Sequence, residues 1–171
     1  MIEADVPIRV VRRADYSPAD NSEGSAADGT VGGTYTLLID LPAATTVDVG
    51  ALGEQRLHAG GYAYTGSAFG TGGFSRVDRH ARIARGEHDV RHWHVDYLLG
   101  APESRLTEVV RSDGIDVECS VAERLPEGPI DGFGASDCGC RSHLTWTDEV
   151  ESLAGRVERA HNDAATDKSE R

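Results

Sequence analysis

Tyr35, Tyr64, Arg76, His80 and Glu118 offer two phenols, a guanidinium, an imidazole and a carboxylate, the groups on which acid-base, anion-binding and metal-binding chemistry draws. Phosphodiester cleavage needs a deprotonated water in line with the scissile bond, positive charge on the developing phosphorane oxygens, and stabilisation of the leaving alkoxide. Arg76 offers a fork of donors for non-bridging oxygens, and Glu118 can anchor one divalent metal ion. Tyr64 can orient the water or bind phosphate. His80 stands four residues beyond Arg76, which puts both on one helix face, where it can contact phosphate or assist proton transfer. Tyr35 needs help to take part in acid-base chemistry, because an unperturbed phenol titrates near ~10. Each residue alone has a plainer explanation. Strand tyrosines commonly bury the ring and expose the hydroxyl, a helix arginine is usually solvated or paired with nearby acids such as Asp78, and a first-turn glutamate is favoured by the helix dipole.

Around this set lie two further groups. Arg76, Arg79, Arg82, Arg85 and Arg91 face only Asp78, Glu87 and Asp89 in the same stretch, a basic island in a chain of net charge -12. Arg79, Arg82, His88, His92 and His94 are therefore the expected contacts to a nucleic-acid backbone, positioning it without reading sequence. The run His92-Trp93-His94-Val95-Asp96 is a permissive metal pattern, and a structural or substrate-positioning role is preferred for it. Cys138-Gly139-Cys140 followed by His143, with Cys119 elsewhere, offers four soft ligands of the kind structural zinc takes, but the spacing departs from a C-x-x-C knuckle. Buried free thiols packing a glycine-rich turn against the helix of Cys119 are preferred, with zinc at Cys138, Cys140 and His143 a minority alternative.

The elements that must carry these residues can be read from pattern. TYTLLIDL (34–41) ends at Pro42, and QRLHAG and GYAYTGSA follow as apolar, β-branched and aromatic runs separated by glycines, so three consecutive strands are expected. In FSRVDRHARIAR, Phe74, Val77, Ala81 and Ala84 recur at helical spacing, giving an amphipathic basic helix from about Gly73. WHVDYLLG is a short apolar block of undecided type, TEVVRS a strand, and IDVECSVAERL a short helix burying Val117, Val121, Ala122 and Leu125. SHLTWT alternates as a closing strand would. The fold class is α+β, with a small, mostly antiparallel sheet of about three to five strands flanked by helices. Residues 1–32 read as a disordered acidic tail, 33–147 as the domain, and 148–171 as a solvated acidic tail with at most brief helix. No run approaches the ~18 apolar residues of a membrane helix, and MIEADVPIRVVRR lacks the pattern of a secretory signal, so a cytoplasmic protein is expected. The odd count of three cysteines argues against a disulfide framework.

Gly33-Thr34-Tyr35 and Tyr64-Thr65-Gly66, with the tyrosines 29 positions apart and Arg76 a further 12 on, resemble the paired motifs and helix arginine of GIY-YIG nucleases. Glu118 falls in VECSVAERL as that family's glutamate falls on a later helix. WHVDYLL, VECSVAERL and GFGASDCGCRSHL are similar to an archaeal branch of the superfamily whose members occur alone or fused to endonuclease III-like repair enzymes. The resemblance covers residues 33–147. Lys168 is the only lysine, and with acids spread along the chain this looks like a halophile's composition, one that stays solvated where salt screens self-repulsion. The resemblance implies a GIY-YIG-like fold and a metal-dependent endonuclease hydrolysing DNA in repair or recombination. It further implies a tyrosine general base, Tyr35, Tyr64, Arg76, His80 and Glu118 as catalytic residues, and Mg²⁺ or Mn²⁺ at Glu118. DNA is the expected partner, with a homodimer or a repair protein supplying specificity, and no membrane. The alternative is a non-catalytic nucleic-acid-binding or repair-partner-binding module on the same fold.

Overall fold

The computed structural model describes residues 8–12 and 32–171. Strand β1 spans Ile8–Arg12, β2 Gly33–Leu41, β3 Thr45–Asp48, β4 Glu54–Leu57 and β5 Gly60–Ser67. Helices α1 (Ser75–Ala84) and α2 (His94–Leu99) lead to β6 (Arg105–Asp113), α3 (Glu118–Glu123), β7 (Leu144–Thr147) and α4 (Val150–Ser169). The central sheet has five strands in the order β1-β6-β2-β5-β7, each neighbouring pair antiparallel. An α+β domain is thus what the chain forms.

The period of two along β2 sorts its residues between two cores. Tyr35, Leu37, Ile39 and Leu41 face one layer, where Phe74 just before α1, Val77, Ala81 and Ile83 from α1, and Val95, Leu98 and Leu99 from α2 complete the packing. Leu38 faces the other, with Ala63, Val110 and residues of α3 and α4. With both faces covered, β2 reads as a nearly continuous buried run, which explains why TYTLLIDL lacks the polar alternation of a half-exposed strand.

Three expectations change. QRLHAG does not join the central sheet: β4 pairs with β3, Thr45 opposite Leu57, as a separate two-stranded ribbon. Residues 148–171 are not a solvated tail. Val150, Leu153, Val157, Ala160, His161, Ala164 and Ala165 form the buried stripe of the 20-residue α4, which covers the second sheet face. Small alanines at this spacing let the helix approach the sheet closely, and their modest hydrophobicity hides the stripe from a reading that looks for large apolar residues. Within residues 1–32, the segment 8–12 is an edge strand paired with β6, Ile8 opposite Ser112, and Gly32 is buried beside β2. The rest of that expected tail lies outside the described residues.

Among the described residues no helix is long and apolar enough to cross a membrane.

Candidate active site and cysteine cluster

Tyr35 on β2 and Tyr64 on β5 lie on neighbouring strands, with Tyr35 paired to Gly66 and Tyr64 to Leu37. Their ring centroids are 6.4 Å apart. Gly66 is what makes this possible: a Cβ there would stand 2.7 Å from the Tyr35 Oη and 2.8 Å from its Cζ, so the phenol lies across bare backbone. Gly134 plays the same part for Tyr64, since a Cβ there would meet Cε2 of the ring at 2.6 Å, and its φ of +67° favours glycine in any case.

The Tyr35 hydroxyl ends in a buried relay. Its Oη is 2.9 Å from His80 Nε2, and His80 Nδ1 is 3.0 Å from Asp96 Oδ1. Asp96, also buried, has the other oxygen filled: Oδ2 accepts from the backbone N–H of His92 at 2.8 Å and of Trp93 at 3.0 Å, and from Arg79 Nη2 at 3.2 Å. Burial works against the charged carboxylate, but the hydrogen bonds of His80, Trp93 and His92 outweigh it and hold Asp96 below the usual range. Burial also lowers His80, opposed by Asp96, so the ring is neutral at pH 7. An ionised Asp96 requires Nδ1 to carry the proton, which leaves the Nε2 lone pair to accept from Tyr35. Burial, followed by the charge of Tyr64, raises Tyr35 well above the ordinary phenol value. Burial and then Glu118 raise Tyr64 as well. Both phenols are therefore protonated at rest.

Arg76, half-buried on the first turn of α1, donates from Nη1 to the Ser67 carbonyl at 2.7 Å and lies with its guanidinium carbon 4.5 Å from the Trp93 ring centroid. Arg79 sits 4.6 Å from the same ring. Trp93 is thus a shelf that stacks both guanidinium groups above the relay. Glu118 begins α3, and its charge acts on both tyrosines. Its Oε1 stands 2.9 Å from Nδ1 of His143, an ion-pair distance that is not aligned as a hydrogen bond.

Tyr35, Tyr64, Arg76, His80 and Glu118 therefore come from β2, β5, α1 and α3 to one locus. Several of the assigned roles do not fit what is found. His80 is fully buried and bonded at both nitrogens, so it cannot contact phosphate; what remains is proton transfer through Tyr35. Arg79 Nη2 donates to Asp96 and to the Val90 carbonyl, so the residue braces the relay, while its Nη1 is buried without a hydrogen-bond partner. His94 accepts from Gly134 N–H at 2.9 Å through Nδ1 and fixes the loop beneath Tyr64. His92 and Arg82 are exposed, as a nucleic-acid contact must be. Asp96 is the relay member that pattern reading did not connect: an aspartate two residues after His94 gave a motif, but nothing local said that it answers His80 sixteen positions earlier.

The cysteines also differ from expectation. Cys138 is exposed and Cys119 and Cys140 are half-buried, so none is a core thiol. Instead Cys119, Cys138, Cys140 and His143 bring one ligand atom each within 4.8 Å of all the others, a cluster that can hold a metal ion.

Residues 34–166 match the family model described as a domain of unknown function, DUF123, and the chain belongs to that family. The match runs through most of α4, in keeping with that helix being part of the domain. No curated protein and no solved structure matches the chain.

Proposed function

We propose that the protein is a GIY-YIG-type, metal-dependent endonuclease that hydrolyses DNA phosphodiester bonds. The observation that carries this reading is the Tyr35–His80–Asp96 relay, which gives a buried phenol a place to send its proton. A tyrosine whose pKa is raised by burial cannot act as a free phenolate at neutral pH. Coupled to a neutral imidazole, it can take a proton from water while its own passes to His80 Nε2. The imidazolium formed is stabilised by the Asp96 carboxylate, the logic of a nucleophile, base and orienting acid in series.

Arg76 holds the phosphate in this scheme. Its Nη1 bond to Ser67 and its stacking on Trp93 fix the plane of the guanidinium, and a guanidinium has five N–H donors in all. Glu118 fits Mg²⁺ or Mn²⁺ in the sparing way these ions use in phosphoryl chemistry, one carboxylate with the remainder from water and substrate phosphate. Asp96 is no second ligand, since it is fully buried and each of its oxygens already accepts a hydrogen bond. A bound ion there would supply Lewis-acid stabilisation of the phosphate oxygens. Exposed Arg82 and His92 would position the backbone beside this locus. A domain this small reads little sequence alone, so a second copy or a repair-protein partner would supply specificity.

One observation favours the second reading, a nucleic-acid-binding or repair-partner module without cleavage: Tyr35 is 1% and Tyr64 5% exposed. Cleavage of labelled duplex, nicked, flap, branched and single-stranded DNA with Mg²⁺ or Mn²⁺, at several KCl concentrations, separates the two. The nuclease reading expects wild type to cut and Tyr35→Phe, Arg76→Ala and Glu118→Ala to lose turnover while folded. A folded wild type that cuts none of these substrates, with Arg76→Ala weakening binding and Glu118→Ala leaving it intact, replaces the nuclease with the binding module.

A further inference from the structure

The cysteine cluster has the dimensions of a metal site. Cys138 Sγ is 3.4 Å and Cys119 Sγ 3.9 Å from Nε2 of His143, and the four ligand atoms, Cys140 Sγ included, all lie within 4.8 Å of one another. In tetrahedral zinc, with Zn–S of about 2.3 Å and Zn–N of about 2.0–2.1 Å, sulfur and nitrogen ligands stand about 3.6 Å apart. The two sulfur-to-nitrogen edges straddle that value. Three sulfurs and one imidazole are the donor set that selects zinc among the divalent ions, and four protein ligands leave no position for a substrate.

A second observation is independent of these distances. Between the end of α3 at Glu123 and the start of β7 at Leu144 the chain forms neither helix nor strand. Ordered stretches of that length without secondary structure are uncommon in compact domains and need some other source of order. Here three ligands, Cys138, Cys140 and His143, lie at the end of the stretch, and the fourth, Cys119, lies on the helix before it. That helix has six residues, too few to be stable from backbone hydrogen bonds alone. One ion would tie the loop, the helix and the sheet together. The sheet connection runs through His143, whose N–H donates to the Phe133 carbonyl at 2.8 Å and whose carbonyl accepts from Thr65 N–H at 3.0 Å, next to Tyr64.

The orientation of His143 completes the pattern. Nε2 faces the thiols, so Nδ1 is turned to Glu118 Oε1 at 2.9 Å. Metal-bound histidines characteristically present the other ring nitrogen to a carboxylate, and Glu118 stands at that nitrogen within ion-pair distance, though short of the aligned hydrogen bond that fixes a tautomer.

We propose that Cys119, Cys138, Cys140 and His143 bind one Zn²⁺ as a closed structural site, and that Glu118 is the carboxylate that orients His143. Binding releases the three thiol protons to solvent, His143 enters as the neutral imidazole, and the ZnS₃N unit carries one net negative charge. No bond to substrate and no redox step is involved, and the site stands whether or not the protein cuts DNA. Its consequence is positional: the ion holds the first turn of α3, and with it Glu118, against the strand that carries Tyr64.

The test uses the full chain, purified under reducing conditions and dialysed against metal-free buffer. Elemental analysis is expected to find about one zinc per chain. Replacement by Co²⁺ is expected to give thiolate-to-cobalt charge-transfer bands and the intense visible bands of tetrahedral cobalt, saturating at one equivalent. Glu118→Gln keeps the tetrahedral spectrum with about 10–100-fold weaker metal affinity, the usual effect of losing an orienting carboxylate. Cys119→Ser and Cys138→Ser lose the stoichiometric ion; should either fail to fold, the wild-type cobalt spectrum and the Glu118→Gln titration still decide the matter. Substoichiometric zinc, a cobalt spectrum without thiolate bands, or an intramolecular disulfide in the reduced-purified protein overturns the site. These readouts need no DNA, so loss of the nuclease reading leaves them untouched.

Discussion

His161 supplies the most quantitative test of the fold. It projects from α4 into the sheet, fully buried, with Nε2 2.8 Å from Thr36 Oγ1 and Nδ1 2.7 Å from Ser112 Oγ, while Thr36 Oγ1 is also 2.9 Å from Thr65 Oγ1. These partners are hydroxyls, which satisfy a neutral ring in either tautomer but neutralise no charge. Burial accordingly lowers His161 from 6.5 to about 4. The unfolded chain protonates this ring below about 6.5 and the folded chain does not until about 4, so the unfolded state binds the extra proton between those values. Stability from this group is complete above the unfolded value, falls as pH drops through the window, and levels off below the folded value. At ~1.36 kcal/mol per unit, the loss across the window is about 3 kcal/mol, a large share of a small domain's stability. The assay is urea unfolding at fixed KCl between pH 7 and pH 4, wild type beside His161→Gln. The difference between their stabilities should shrink by about that amount on acidification, because the variant has no ring to protonate. Direct titration of the ring by NMR should place it near 4. A ring titrating near its ordinary value, or two proteins losing stability in parallel across the window, would refute the argument.

Three other outcomes follow from the site. Tyr35→Phe leaves the buried His80 Nε2 without its donor and is expected to cost about 1–3 kcal/mol in urea unfolding as well as turnover; an unchanged midpoint would show that the relay bond is not formed. Gly66→Ala drives a methyl to 2.7 Å from the Tyr35 hydroxyl, so a loss of about 1–3 kcal/mol and displacement of the Tyr35 ring are expected, checked by thermal unfolding and a structure of the variant. Arg82→Ala touches only the exposed face of α1: stability should stay within about 0.5 kcal/mol of wild type, while the salt dependence of DNA binding falls by about one unit of slope. An unaltered slope would remove Arg82 from the nucleic-acid face.

What the sequence revealed and what it hid divide along physical lines. Strands β2 and β5 and helix α1 were legible because local pattern encodes them, whereas the tyrosine, arginine and glutamate set was singled out through the family resemblance. Helix α4 was not, since a stripe of alanines around Leu153 and Val157 is apolar enough to bury only where a sheet is waiting for it. Asp96 was hidden for another reason. Its importance lies in His80, Arg79 and two backbone amides, partners that the turn before α2 brings together and that no periodicity links. Cys119 stands before the loop and Cys138, Cys140 and His143 at its end, so the cluster exists only once that loop has folded back.

The two halves of the candidate site therefore rest on different foundations. Tyr35, His80 and Asp96 are held by the main core, where β2, α1 and α2 would keep them in register without any other component. Glu118 is not: it stands at the first position of a six-residue helix, its described partner is His143, and both border the irregular loop. A metal ion in the cysteine cluster would then be a condition for the glutamate's position but not for the relay's. On the proposed nuclease reading, loss of that ion would be expected to separate Glu118 from the tyrosines while leaving the Tyr35 proton path intact, so that cleavage fails with the domain still folded. In such a protein, adding Mg²⁺ alone would not restore cleavage and adding Zn²⁺ first would, a dependence on order that a site built wholly on the core would not show.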